Sequence, residues 1–150
     1  MRTLTCIAEL LRPGGVLIAQ EPFRNPPWRS RPPISDVSDH WEILYESIER
    51  AGTPHEAVED LPRLARAAGL EVTAQGGFCL VLAPEVGLQI AIENMAAVRD
   101  RALALGAATE QQFDAITAGL SAALRRKDAY EWIATPVFFD LAFRKATTPQ

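Results

Sequence analysis

LLRPGGVLIAQEP, residues 10–22, holds the end of a helix, a turn and a strand in one short stretch. Leu4, Ile7, Leu10 and Leu11 recur at three- and four-residue steps, which predicts a helix over Thr3–Arg12 with one buried stripe. Pro13 ends it, and Gly14 and Gly15 supply turn conformations that a residue with a Cβ resists. Val16–Ala19 is then a continuous apolar run, the pattern of a strand covered on both faces as in a parallel sheet. Glu21 stands where that strand stops.

Downstream, PFRNPPWRSRPP (Pro22–Pro33) is rich in prolines that remove backbone donors and bar a helix, so a stiff loop is expected. Ser35 or Asp36 can cap a helix to about Arg50, with Val37, Trp41, Leu44, Tyr45 and Ile48 along one face and Gly52 at its end. Thr53–Glu56 has the form of a capping box with proline at the first helical position. It opens a helix to Ala68 with Leu61, Leu64, Ala65 and Ala68 on one side, and Gly69 is its C-cap. Leu70–Ala83 reads as extended and bulged at Gly76 and Gly77. Pro84 starts a helix through about Leu105 whose stripe is Leu88, Ile92, Met95 and Val98. Thr109, with Gln112 three residues on, caps a second helix to Arg126, so residues 84–126 form a helical hairpin. Trp132–Lys145 has the aromatic and β-branched content of a strand, entered irregularly at Pro136.

At 150 residues and 48% hydrophobic, the chain fits a single domain with an ordinary core. A net charge of -4 argues against general electrostatic binding of nucleic acid. Cys6 and Cys79 sit in apolar stretches with neither a CxxC pattern nor paired histidines, so no metal site is expected and a reduced, cytoplasmic setting is. No apolar run is long enough to cross a bilayer, and no membrane partner is expected.

LLRPGGVLIAQEP, then DLPRLARAAGLEV (Asp60–Val72), then the helical insertion, then WIATPVFFDLAFRK (Trp132–Lys145) resembles the C-terminal half of a class I SAM-dependent methyltransferase of the small-molecule type. The likeness covers nearly the whole chain, and the order of its motifs carries it. It implies an α/β fold: a partial Rossmann-like, doubly wound sheet made of the family's last three strands, the final one antiparallel between the other two. Residues 1–150 would be one partial domain with 84–126 inserted in it. The family's S-adenosyl-L-methionine (SAM) site lies in the other half, on a Gly-rich loop between a strand and a helix. Gly14–Gly15 and Gly76–Gly77 stand before a strand and within one, so no cofactor-binding residue can be assigned and SAM is not expected to bind this chain alone. The expected activity is methyl transfer to a small organic molecule, contributed to by a truncated domain that is inactive by itself. Its partners would be the acceptor and either a complementing N-terminal half or a second copy in a homodimer.

By position the resemblance points to Glu21, Arg24, Trp28, His40, Trp41 and Tyr45 as acceptor-lining candidates, with His40 the candidate base. Blander readings stand beside these. His40 can be an exposed polar residue at a helix start, Trp41 and Tyr45 can be core packing one turn apart, and Glu21 can accept from backbone N–H groups or from Arg24. His55, in the first turn of a helix, reads as solvated. No Ser-His-Asp arrangement, metal-spaced histidines or carboxylate cluster supports a hydrolase or metalloenzyme. The alternative function is noncatalytic: interaction or self-association through an exposed sheet edge, or through the Pro/Arg-rich loop 22–33.

Overall fold

A computed structural model describes residues 2–53 and 57–147. The fold is α/β, with five helices and two small antiparallel sheets among the described residues. The chain divides into two compact units, the first made of residues 1–23, 56–78 and 138–150 and the second of 24–55 and 79–137.

The first unit contains α1 (Arg2–Leu10), β1 (Val16–Pro22), α3 (Ala57–Ala67), β3 (Leu70–Phe78) and β6 (Phe138–Lys145). Its sheet order is β1-β6-β3, so the last strand of the chain lies between the other two and antiparallel to both. Gly14 makes the turn into β1 with φ +76°, a left-handed conformation open to glycine, and its N–H donates to the Lys145 carbonyl at 2.9 Å. Gly69 ends α3 in the same way at φ +79°.

Register sorts the side chains onto two faces. Leu17 opposes Phe143 and Ala19 opposes Leu141, and this face is buried under Ala8 and Leu11 of the first segment and Leu61, Ala65 and Ala68 of the α3 segment. Val16 opposes Arg144 and Ile18 opposes Ala142 on the other face, where Ile18 is 72% exposed. The expectation of a strand covered on both faces is therefore corrected: α1 and α3 both pack on the Leu17 side. The bulge in β3 falls between Val72 and Ala74, not at the glycines. Thr73 Oγ1 donates to the Ala142 carbonyl at 3.2 Å, which stabilises the irregularity there, while Gly76 and Gly77 keep regular partners in Asp140 and Phe139.

The second unit contains β2 (Arg29–Arg31), α2 (Ser35–Arg50), β4 (Val81–Leu82), α4 (Pro84–Ala104), α5 (Glu110–Arg125) and β5 (Trp132–Ala134), with a 3-10 turn at Lys127–Ala129. Helices α2, α4 and α5 pack around Val37, Trp41, Leu88, Met95, Val98, Phe113 and Leu120. The helical pair expected over 84–126 is present as α4 and α5. Thr109 and Gln112 form the anticipated capping box, with Gln112 N–H donating to Thr109 Oγ1 at 3.2 Å and Thr109 N–H to Gln112 Oε1 at 3.0 Å. Gly87 brings α4 against the small sheet: a Cβ there would lie 2.7 Å from Ile133 Cβ.

Three further expectations are corrected here. The proline-rich stretch is not loop throughout, because Arg29–Arg31 pairs with Trp132–Ala134 as β2 in the sheet β2-β5-β4. Ser35 does not cap α2. Ile34 holds the N-cap position in extended backbone, with its N–H bonded to Ser30 Oγ at 2.8 Å, and Ser35 already lies in the first turn. The expected single last strand is two strands, β5 and β6, in different sheets. Proline lacks the N–H needed to run the ladder through position 136. Thr135 closes off β5 instead, its N–H donating to the Leu80 carbonyl and its hydroxyl accepting from Leu80 N–H, both at 2.9 Å. Cys6 and Cys79 are free and exposed despite their apolar sequence neighbours.

Candidate functional site

Five of the six lining candidates, Arg24, Trp28, His40, Trp41 and Tyr45, belong to the second unit, and Glu21 belongs to the first. Glu21 is exposed on β1 opposite Phe139. The other five form one cluster. His40, Trp41 and Tyr45 come from α2, where helical spacing brings Trp41 and Tyr45 to a ring separation of 4.8 Å. Trp28 arrives from residues 24–28, which lie in no helix or strand, and meets His40 edge to face with centroids 5.3 Å apart. Trp41 is 6.3 Å from each of these rings.

All four rings are buried, and His40 is fully so. The reading of His40 as an exposed residue at a helix start is thereby corrected: the position falls on the inner face of α2. Its Nδ1 lies 2.6 Å from the Val37 carbonyl, three residues back on the same helix. Burial pushes its pKa down to about 4, against the opposing pull of the Val37 and Asp36 backbone, so the ring is neutral at pH 7. Its Nε2 is buried with no hydrogen-bond partner, and so is Trp28 Nε1. Trp41 Nε1–H, by contrast, donates to the Arg24 carbonyl at 3.1 Å, pinning the segment before Trp28 onto α2.

Arg24 is tied down through its side chain as well. Its guanidinium donates from Nε and Nη2 to Glu42 Oε2 at 3.1 and 2.8 Å and from Nη1 to Glu49 Oε2 at 3.3 Å. Sequence reasoning did not single out Glu42 or Glu49, and it placed Val37 on the apolar face of α2 without pairing it to His40. The i, i+7 spacing of the two glutamates marks one face of α2, and Val37 stands at i−3 from His40. The reading of Glu21 as the acceptor for Arg24 is replaced by these two partners.

A separate cleft of about 460 Å³ opens between α2 and α5, lined by Asp36, Asp39, Glu42, Gln112 and Ile116 among others. Burial raises the pKa of both Asp36 and Asp39, and each is raised further by a neighbouring carboxylate. His55 lies outside the described residues. Among the described residues no group of His, Cys, Asp and Glu could hold a metal ion.

Gly14 and Gly15 precede β1, Gly76 and Gly77 are paired within β3, and no described strand runs through a glycine into a helix. No helix of the described residues is long and apolar enough to cross a membrane. Comparison with protein-family models found no match, and comparison with curated proteins found none either.

Proposed function

We propose that this chain is the C-terminal portion of a SAM-dependent methyltransferase, contributing to methyl transfer to a small organic molecule and requiring a further polypeptide to hold the cofactor. The observation that carries the reading is the first unit's strand order, β1-β6-β3 with the last strand antiparallel in the middle, joined to one helix-covered and one open sheet face. A sheet that exposes Val16 and Ile18 on one face beside its own edge strand is built to continue into more structure. On this reading the second unit supplies the acceptor side, with His40, Trp28, Trp41 and Tyr45 as the groups that meet the acceptor.

A second reading is favoured by the same exposed Ile18: a noncatalytic chain that covers its open sheet by self-association in a homodimer. Calorimetric titration of SAM separates the two. The expected result is no binding to the 150-residue chain and micromolar binding once it is mixed with a complementing N-terminal methyltransferase half. A dimer in solution with no SAM binding in either form would overturn the methyltransferase reading and leave self-association.

A further inference from the structure

In an antiparallel pair, residues that bond across it alternate with residues whose N–H and C=O aim away. Lys145 N–H donates to the Gly15 carbonyl at 2.9 Å, so every second residue back along β6 from Lys145 serves β1, and Phe138, Asp140, Ala142 and Arg144 serve β3. Phe78, Gly76 and Ala74 stand opposite the first three of these. Between them Gln75 and Gly77 aim their backbone groups outward, and among the described residues no strand lies on that side of β3.

Natural proteins guard such an edge with charge, proline or a bulge. The bulge of β3 lies before Ala74, and from Val72 to Ala83 the sequence holds neither a charge nor a proline. Residues 73–78 are all exposed. A glycine inside a strand weakens it and marks a bulge, a bend or the close approach of another backbone. Gly76 is outside the bulge, has no positive φ, and a Cβ there would meet nothing within 4 Å of its own chain. The room it leaves faces outward.

We propose that β3 pairs antiparallel with β3 of a second copy of this chain, on a twofold axis at Gly76. In that register Gln75 of each copy exchanges backbone hydrogen bonds with Gly77 of the other, Ala74 faces Phe78, and Gly76 faces Gly76. Each larger side chain meets a small one, and two chains of net charge -4 meet where neither carries a charge. Phe78, 37% exposed and stacked on Phe138 at 5.4 Å, reaches diagonally over Gly76 of the other copy. Sliding the pairing by two residues loses this fit: one way sets Gln75 against Gln75 and the bulge against Gly77, and the other sets Gln75 against Cys79, beyond the end of β3. So short an edge buries less than about 1,200 Å², which makes the dimer reversible and dependent on concentration. The pairing extends the sheet in its own plane and leaves the Ile18 face as it is, so it does not rest on the methyltransferase reading.

Sedimentation equilibrium and site-directed crosslinking of the full chain test it. A reversible monomer–dimer equilibrium is expected. Gly76→Lys should weaken it at least about tenfold by setting like charges face to face on the axis. The fold should survive, because the new side chain has open space and stands opposite Asp140. In a Cys6→Ser, Cys79→Ser background, oxidised glutathione should link two copies through Gly76→Cys, whose facing Cα atoms are within disulfide reach. It should not link them through Ala74→Cys, whose two positions lie about 14 Å apart along the strands. A chain that stays monomeric up to about 1 mM overturns the inference, as does a dimer indifferent to Gly76→Lys or equal crosslinking at both positions.

Discussion

The second unit closes its core and the first leaves half of its sheet open. In the second unit Leu88, Met95, Leu120 and Ile133 are wholly buried between three helices and a small sheet. In the first, Leu141 and Phe143 are as deeply buried on one face of a sheet whose other face leaves Ile18 72% exposed. The difference teaches that a helix of ordinary amphipathicity can complete a unit only if another element meets each apolar face. Helices α2, α4 and α5 meet one another. Helices α1 and α3 share one side of their sheet, and among the described residues nothing equivalent buries Val16 and Ile18.

The strongest way to break the comparison is to hollow the closed core. Leu88→Ala should destabilise the second unit by about 2–5 kcal/mol in denaturant unfolding, the cost of lost burial plus a cavity. A loss below about 1 kcal/mol would mean that the core is not closed around this position.

Acid should act next, through His40. Its folded pKa of about 4 lies below the ordinary value of 6.5, so the unfolded chain takes up the proton first as pH falls. Stability is full above pH 6.5 and is lost progressively down to about pH 4, by about 3 kcal/mol for a shift of this size. Asp36 and Asp39, whose pKa values are raised, work in the opposite sense and gain as pH falls, so the readout is the difference between the native chain and His40→Phe. A pH dependence unchanged by His40→Phe would place the imidazole in water.

Gly87→Ala should cost about 1–3 kcal/mol, since the new Cβ meets Ile133 Cβ and Cγ2 at 2.7 and 2.8 Å and the strain exceeds the gain in helix propensity. Thr109→Ala should cost about 1 kcal/mol through loss of the α5 cap. The smallest effect belongs to the open face. Ile18→Ser should change folding stability by less than about 0.5 kcal/mol and lower any self-association seen by light scattering. A loss comparable to that of Leu88→Ala would show that Ile18 is covered and erase the contrast between the units.

Elements set by neighbouring residues were legible in the sequence. Thr109 and Gln112, Gly52 and Gly69, and the stripes of α3 and α4 depend on spacings of a few positions. What depended on distant partners was not. Ser35 is a good cap by type, yet the backbone at Ile34 and the hydroxyl of Ser30 set where α2 begins. The short β2 exists because Trp132–Ala134 offers it a ladder, which no property of Arg29–Arg31 announces. The site divides in the same way. Trp41 and Tyr45 could be paired from their spacing, and Val37 could have been found as the partner of His40. That Trp28 would lie edge-on to His40 with both free nitrogens buried required the folded chain.

The claim beneath all of this is that the Ile18 face belongs to an interface with further polypeptide. The rate of thiol labelling at Ile18→Cys tests it most directly, in a background of Cys6→Ser and Cys79→Ser because both native thiols are exposed. The account predicts labelling near the rate of a free thiol in the 150-residue chain and at least about tenfold slower labelling once a complementing N-terminal half is bound to it. Equal, fast labelling in both would contradict it, because the open sheet would then be finished as it stands.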